Sequence, residues 1–271
     1  MSVVSPDSLD EALEALAADP EAHVVAGGTD FMVEVNFDHR RPESVVSLHR
    51  IEALRSWSDE ADRLRIGSGV TCATLERSPF TALVPALAQA ARTVGSPQIR
   101  NAATVGGNLG TASPAGDLLP VLSALDATVV IQHARGARSI SIHDFLVGPK
   151  RNALEAGELV VATTLPVLGE RQEFVKVGMR NAMVIAVASV AVVRIGARLN
   201  VALGSVGPTV LRARDAEAWF AARGLDVAAV DEFAVRVAAE ARPIDDHRST
   251  AEYRRHAVRV CAARAARRIL R

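Results

Sequence analysis

The stretch Thr104-Val-Gly-Gly-Asn-Leu-Gly-Thr-Ala-Ser-Pro-Ala-Gly-Asp-Leu-Leu-Pro120 decides how this chain is read. It follows the polar bend Ser96-Pro97-Gln98 and precedes an apolar segment. Gly106 and Gly107 lack a Cβ, so the backbone there can pass through positive φ and approach a ligand closely. Their N–H groups can then converge on an anion such as a phosphate oxygen. Asn108, Thr111 and Ser113 add neutral hydrogen-bonding capacity, and Asp117 can accept from a sugar hydroxyl. The same residues also suit an ordinary glycine-rich surface loop. Their density over so short a span favours the cradle.

A second stretch offers the same chemistry. Val24-Val-Ala-Gly-Gly-Thr-Asp-Phe31 reads as a short buried strand entering a diglycine loop that carries a hydroxyl and a carboxylate. A pyrophosphate needs several donors, and two facing loops supply them. Neither stretch fits the dinucleotide fingerprint G-x-G-x-x-G or the P-loop G-x-x-x-x-G-K-[ST], so neither of those solutions is in use.

Composition bounds the class. A chain of 271 residues, 49% hydrophobic, suits a soluble globular protein of one to three domains. Basic and acidic residues balance at 31 each, so no overall field draws in nucleic acid or an anionic membrane. With 4% aromatics there is no platform for stacking bases. The longest apolar run, residues 182–193, is too short to span a bilayer. The start Met1-Ser-Val-Val lacks a signal peptide's basic and apolar regions, which predicts a cytoplasmic protein. Two distant cysteines, Cys72 and Cys261, are too few for an iron–sulfur cluster and read as small buried thiols.

Along the chain, Ser8-Leu-Asp-Glu11 has capping-box spacing, and Leu9, Leu13 and Leu16 predict a helix ending near Asp19-Pro20. Strands follow at 23–26 and 44–48, with 34–37 continuing from the loop, making a small βαβ-like unit that closes near residue 50. A second unit opens with a strand at 63–69 and a buried helix at 83–94. It ends with strands at 127–131 and 159–165. Residues 167–172 read as a linker. Beyond it, 174–179, 184–195 and 199–206 predict a three-stranded antiparallel sheet, followed by helices at 213–223, 227–241 and 250–270. Strands followed by helices point to an α+β module. The arginines of the last helix read as a solvated face.

Other chemistries fare poorly. No two of the seven histidines stand at a ligand-pair spacing, and His133, His143 and His247 read as surface or loop residues. Ser96 and Ser113 lack the G-x-S-x-G elbow of a nucleophile. Asp245-Asp246 reads as a helix N-terminal cap cluster rather than a metal pair. No catalytic or metal-binding residue is assigned, and cofactor binding remains.

Ala26-Gly-Gly-Thr-Asp30, Thr104-Val-Gly-Gly-Asn108 and Ala112-Ser-Pro-Ala-Gly-Asp117 carry a resemblance. So do Gly204-Ser-Val-Gly-Pro-Thr209, Arg212-Ala-Arg214 and residues 245–254, in the same order. With these motifs the chain resembles, over nearly its whole length, the FAD-binding medium subunit of molybdenum hydroxylases, a family that includes xanthine and aerobic carbon monoxide dehydrogenases. The resemblance implies an α+β chain with the two-subdomain FAD-binding fold of the vanillyl-alcohol oxidase type at 1–166 (subdomains about 1–55 and 56–166). A C-terminal α+β domain at 173–271 follows. It implies non-covalent FAD held by Val25, Ala26, Gly27, Gly28, Thr29, Asp30 and Phe31 and by Thr104, Val105, Gly106, Gly107 and Asn108. Ser113, Asp117, Val160 and a flavin-proximal Lys176 complete the set, the strand position falling at Leu159 or Val160. It implies an oxidoreductase subunit that passes electrons from partner iron–sulfur clusters through FAD to an external acceptor. The partners are a large molybdopterin-binding subunit and a small two-cluster iron–sulfur subunit, in a hetero-oligomer such as a dimer of heterotrimers.

The chain departs from the family pattern at Val184, where many relatives carry an acidic residue before the Ile-Ala pair, and it has no cysteine-rich insertion. The docking face is expected around the flavin, near 176–180 and 96–101, with Gln98 and Arg100 projecting outward. The alternatives are a stand-alone phosphate-ligand (nucleotide) binding module and a stand-alone flavin oxidoreductase of the same fold.

Overall fold

Three hydrophobic cores organise the chain, whose computed structural model describes residues 1–60, 62–169 and 171–271. The first unit comprises β1 (Ser2–Val4), α1 (Leu9–Ala18), β2 (His23–Val25), α2 (Phe31–Asn36) and β3 (Ser44–Ser47). The strands form a parallel sheet in the order β1-β3-β2. At the start of α1, Ser8 Oγ accepts the N–H of Glu11, and the Glu11 carboxylate accepts the N–H of Asp7 at 2.9 Å. The reciprocal bond of the predicted capping box therefore reaches one residue further back. Ala12, Leu13 and Leu16 bury that helix against Val46, Leu48, Ile51 and Leu54. The expected buried strand at 23–26 is instead a half-exposed edge strand, and residues 31–36 after the diglycine loop are helical. β1 escapes sequence reading because its three residues are all exposed and carry no periodicity.

The second unit contains β4 (Trp57–Glu60), β5 (Arg63–Gly67), α3 (Cys72–Leu75), α4 (Phe80–Leu83), α5 (Pro85–Thr93), α6 (Pro97–Ala102), α7 (Val105–Thr111) and α8 (Leu118–Ala124). There follow β6 (Thr128–His133), β7 (Gly136–Ser141), α9 (Ile142–Phe145), a small hairpin of β8 (Leu146–Gly148) and β9 (Arg151–Asn152), and β10 (Leu159–Pro166). Five strands make an antiparallel sheet in the order β4-β5-β10-β6-β7. β10 explains the continuous apolar run at 159–165. Leu159 and Val161 enter the first core while Val160 and Leu165 enter the second, so one strand serves two cores from opposite faces.

Two segments expected as irregular are helical. The bend Ser96-Pro97-Gln98 starts α6, with Ser96 as its cap and Pro97 in its first turn. The diglycine Gly106-Gly107 lies in the first turn of α7, where Thr104 Oγ1 accepts the Gly107 N–H at 3.0 Å. Neither glycine takes a left-handed φ. A strong N-cap outweighs the low helix propensity of two glycines.

The C-terminal unit holds an antiparallel sheet of β11 (Gln172–Val177), β12 (Ala188–Ile195), β13 (Arg198–Gly204) and β14 (Leu211–Arg212), then α10 (Arg214–Ala221), α11 (Val230–Ala239) and α12 (Ala251–Leu270). The sheet has four strands rather than three, because the short β14 adds to β13. β12 begins at Ala188, four residues later than predicted. Of the predicted linker 167–172, Glu170 lies outside the described residues and Gln172 already belongs to β11. Ala188, Val190 and Val192 pack on the helices, while Ala191 and Val193 join the second core. The sheet is thus sandwiched, which fixes the C-terminal unit against the second one.

On α12 the arginines at 255, 259 and 264 are exposed as expected, but Arg254 is buried. It donates to the carbonyls of Val187 (2.8 Å) and Ser205 (2.7 Å) and to Asp246 (2.7 Å). The Asp245-Asp246 pair caps this region: Asp245 accepts the Ala251 N–H, and Asp246 accepts those of Arg248 and Ser249. Both cysteines are free and buried, and burial pushes Cys72 up to about 12 and Cys261 up to about 11. Among the described residues no helix is long and apolar enough to cross a membrane.

Candidate functional site

The first two units face each other across a cleft of about 960 Å³, at the upper end of the range for ligand pockets. Its first wall is the loop from β2 into α2. There Gly28 takes a left-handed φ of +70°. A Cβ on Gly27 would overlap the carbonyl of Ala102, so only glycine lets this loop lie against the α6–α7 junction. Among the described residues, no protein acceptor faces the amides of Gly27, Gly28, Thr29, Asp30 and Phe31. Among the described residues these five consecutive N–H groups have no protein partner, in a loop that lines the cleft, and such groups can bind an anion without bringing net charge.

The second wall is α7, and it works differently from the predicted cradle. The amides of Val105, Gly106 and Gly107 are already taken, by Val70 O (3.0 Å), Ser68 O (2.7 Å) and Thr104 Oγ1 (3.0 Å). Gly106 is needed for packing, since a Cβ would come within 2.6 Å of Ser68 Cβ and 2.9 Å of Ser68 O. A Cβ on Gly107 would meet only Thr104 Oγ1, at 3.1 Å, so the helix presents a flat surface. The side chains of Asn108 and Thr111 line the cleft with no protein hydrogen-bond partner among the described residues. Ser113 lines it too, its hydroxyl accepting the Ala115 N–H. Leu159, Val160 and Ile185 add an apolar floor, and the β10–β6 register shift between Val160 and Ala162 falls beside it.

The structure therefore gathers Val25, Ala26, Gly27, Gly28, Thr29, Asp30, Phe31, Thr104, Gly106, Gly107, Asn108, Ser113 and Val160 around one space. It does not bring Val105, Asp117 or Lys176 there. Val105 is buried in the second core. Asp117 and Lys176 pair at 2.5 Å with side chains 6% exposed, and Lys176 also donates to Thr93 O at 3.1 Å. Burial pushes Asp117 up to about 6, while Lys176 and Thr93 pull it down. The pair joins α5, α8 and β11, so it ties the second unit to the C-terminal sheet. Arg100 does not project outward as expected. Its side chain is 15% exposed, pairs with Glu76 at 3.1 Å and donates to Val94 O and Gly95 O. Gln98 is exposed, and Arg180 is exposed and donates to Met183 O.

Sequence reading missed Ser68, Thr71 and Arg55, and the charged group of Glu34, Arg40 and Lys150 at the cleft. Ser68-Gly69 after β5 repeats the strand-then-glycine pattern in weak form. Glu34 and Lys150 lie 116 residues apart, and no local motif links them.

Five amides without a protein partner among the described residues, a flat glycine-lined helix and an apolar floor, all lining one cleft, suit a long ligand with a phosphate centre and a ring. The model for the FAD binding domain in molybdopterin dehydrogenase matches residues 1–168. The chain belongs to that family. Residues 173–269 match the CO dehydrogenase flavoprotein C-terminal domain, as the medium subunit of a molybdenum hydroxylase requires. This flavoprotein is 30% identical over 270 residues to the glyceraldehyde dehydrogenase medium chain of Sulfolobus acidocaldarius, covering 97% of this chain and 96% of that one. It is 37% identical over 191 residues to the nicotinate dehydrogenase FAD-subunit of Eubacterium barkeri, a match that takes in 68% of this chain and 64% of that one. Its fold superposes with a TM-score of 0.92 and 28% identity on carbon monoxide dehydrogenase from Hydrogenophaga pseudoflava, covering 99% of this chain and 98% of that one. Quinoline 2-oxidoreductase from Pseudomonas putida 86 gives 0.92 at 27% identity, with 100% and 98% covered. The flavoprotein is thus an oxidoreductase subunit of the molybdenum hydroxylase type.

Proposed function

We propose that this chain is the electron-transfer subunit of a molybdenum hydroxylase, standing between the iron–sulfur clusters of a partner and an external acceptor. FAD, when bound, supplies the redox chemistry. The observation that carries the reading is the row of five amides from Gly27 to Phe31 that have no protein partner among the described residues, in a loop that lines the same cleft as α7. With FAD bound, these amides would hold the pyrophosphate, Thr29, Asn108 and Ser113 would orient it, and Leu159, Val160 and Ile185 would exclude water from the ring. The second diglycine contributes close approach rather than donors.

The chain's own residues support division of labour with other subunits. Its two cysteines lie in different cores, whereas a cluster needs about four thiolates. We accordingly assign the molybdopterin to a large partner subunit and the clusters to a small one, in a hetero-oligomer. We place this assembly in the cytoplasm, where two free buried thiols are at home. The test is co-purification from the native cell. The reading expects this chain, with FAD, to elute with a molybdopterin subunit and a cluster subunit. A chain that elutes alone and oxidises substrate by itself overturns it.

A further inference from the structure

The donor loop sits on a helix that has little to hold it. α2 buries none of its six residues, and Met32, Val33 and Phe37 are all about half exposed or more. Apart from an edge contact of the Phe31 ring with His23, 5.9 Å between centroids, its fastening is electrostatic. Glu34 pairs with Arg40 at 2.8 Å on its own side of the cleft and with Lys150 at 2.8 Å on the other. Arg40 also stands over the Phe31 ring, 5.5 Å from its centroid. The hydrogen bond from Lys150 holds the Glu34 carboxyl below the usual carboxylate range, and the same bond raises Lys150.

Lys150 belongs to the turn of the β8–β9 hairpin, and that turn is anchored to the far end of α7. The Lys150 N–H donates to Ala112 O at 3.1 Å, and Asn152 Nδ2 donates to Gly110 O at 2.7 Å. The contacts run without a break from α7 through Lys150 and Glu34 to α2 and the amides. Lys150 itself has a left-handed φ of +53°, a conformation in which glycine is the unstrained residue. Lysine is held there at a small backbone cost, which glycine would relieve.

We propose that the Lys150–Glu34 pair is a clasp that holds the two walls of the cleft together and sets how fast FAD leaves. This rests on the cleft's being the FAD site. Because the Lys150 side chain is 54% exposed, the clasp opens in salt and with single substitutions, without unfolding either wall. Asp30, 4.0 Å from Lys150 Nζ on the same wall as Glu34, adds a longer and weaker tie, so Lys150→Gly should open the clasp at least as far as Glu34→Gln.

The experiment follows FAD release from the loaded full-length chain by flavin fluorescence after dilution, at low and high salt, for Lys150→Gly, Glu34→Gln and the double variant. Glycine suits φ +53°, so Lys150→Gly removes the ammonium while relieving the backbone. Each single variant should release FAD about three- to tenfold faster, as a part-exposed pair in a network allows. The double variant should be no faster than the quicker single, and high salt should bring the wild type up to the variants' rate. Amide exchange of residues 27–36 in the FAD-free chain, a readout independent of the cofactor, should quicken in both single variants. Wild-type release rates with unchanged exchange, or effects that multiply in the double variant, overturn the clasp. A wild-type chain that takes up no FAD overturns the site itself, and unchanged exchange in the variants then decides against the clasp separately.

Discussion

Replacing Gly27 by alanine tests the geometry of the donor loop with a single methyl group. The added Cβ would overlap both the carbonyl carbon and oxygen of Ala102, far inside the 3.0 Å that real Cβ atoms keep from backbone. Ala102 is the last residue of α6 and Ala103 is in the second core, so the α6–α7 junction is the stiffer party and the loop has to retreat. Its retreat carries the amides of Gly27 and Gly28 away from their ligand. Two hydrogen bonds to a charged phosphate, at about 1.5–3 kcal/mol each, amount to roughly a 10²- to 10⁴-fold loss of FAD affinity. None of residues 26–30 belongs to a core, so the melting temperature of the FAD-free chain should move by only a few degrees. The assay is titration of the FAD-free protein with FAD by fluorescence quenching, alongside a thermal melt. A Gly27→Ala chain with wild-type affinity and an unchanged melt refutes the placement of this loop.

Other expectations follow from the same structure. Gly107→Ala should be folded and slightly more helical, with FAD weakened only about tenfold, because its Cβ meets nothing but Thr104 Oγ1; loss of the fold would contradict this, as urea melts would show. Lys176→Met leaves Asp117 buried without its cation and should cost about 3–5 kcal/mol in urea unfolding, yet leave the cleft amides in place. Because burial holds Asp117 near 6, above an unfolded value of about 4, the folded chain binds the extra proton. Its contribution is therefore fullest below pH 4 and falls as pH rises to about 6, and Asp117→Asn should remove that slope from a urea series across this window. Asp246 acts oppositely. Burial alone would raise it, but the Arg248 and Ser249 amides and Arg254 bring it down to about 2. Its stabilisation is present above about pH 4 and is lost on acidification toward 2, a loss that Arg254→Met should blunt.

Sequence reading succeeds here where a local rule is strong enough to be decisive. The Ser8 cap, the apolar run of β10 and the β12–β13 pair announce themselves by spacing and by β-branched content. It errs where two local rules conflict. Pro97 and the Gly106-Gly107 pair suggest loops, yet Ser96 and Thr104 are N-caps, and packing against Ser68 and the second core makes both segments helical. The site was half legible for a related reason. The diglycine motifs mark both walls, but which wall keeps free amides depends on the Ser68 and Val70 carbonyls of the turn after β5, far away in sequence. Asp117 and Lys176 illustrate the same limit: either could contact a ligand, and only the fold shows that they contact each other. The Glu34–Lys150 pair, made by two distant turns, has no local trace at all.

The most direct test of the electron-transfer role is rapid-mixing measurement of flavin bleaching in the FAD-loaded chain. In such a role the reduced iron–sulfur partner subunit should bleach the flavin quickly, and the substrate of the complex should bleach it only when the partner subunits are present. Equally fast bleaching of the lone chain by substrate would contradict it.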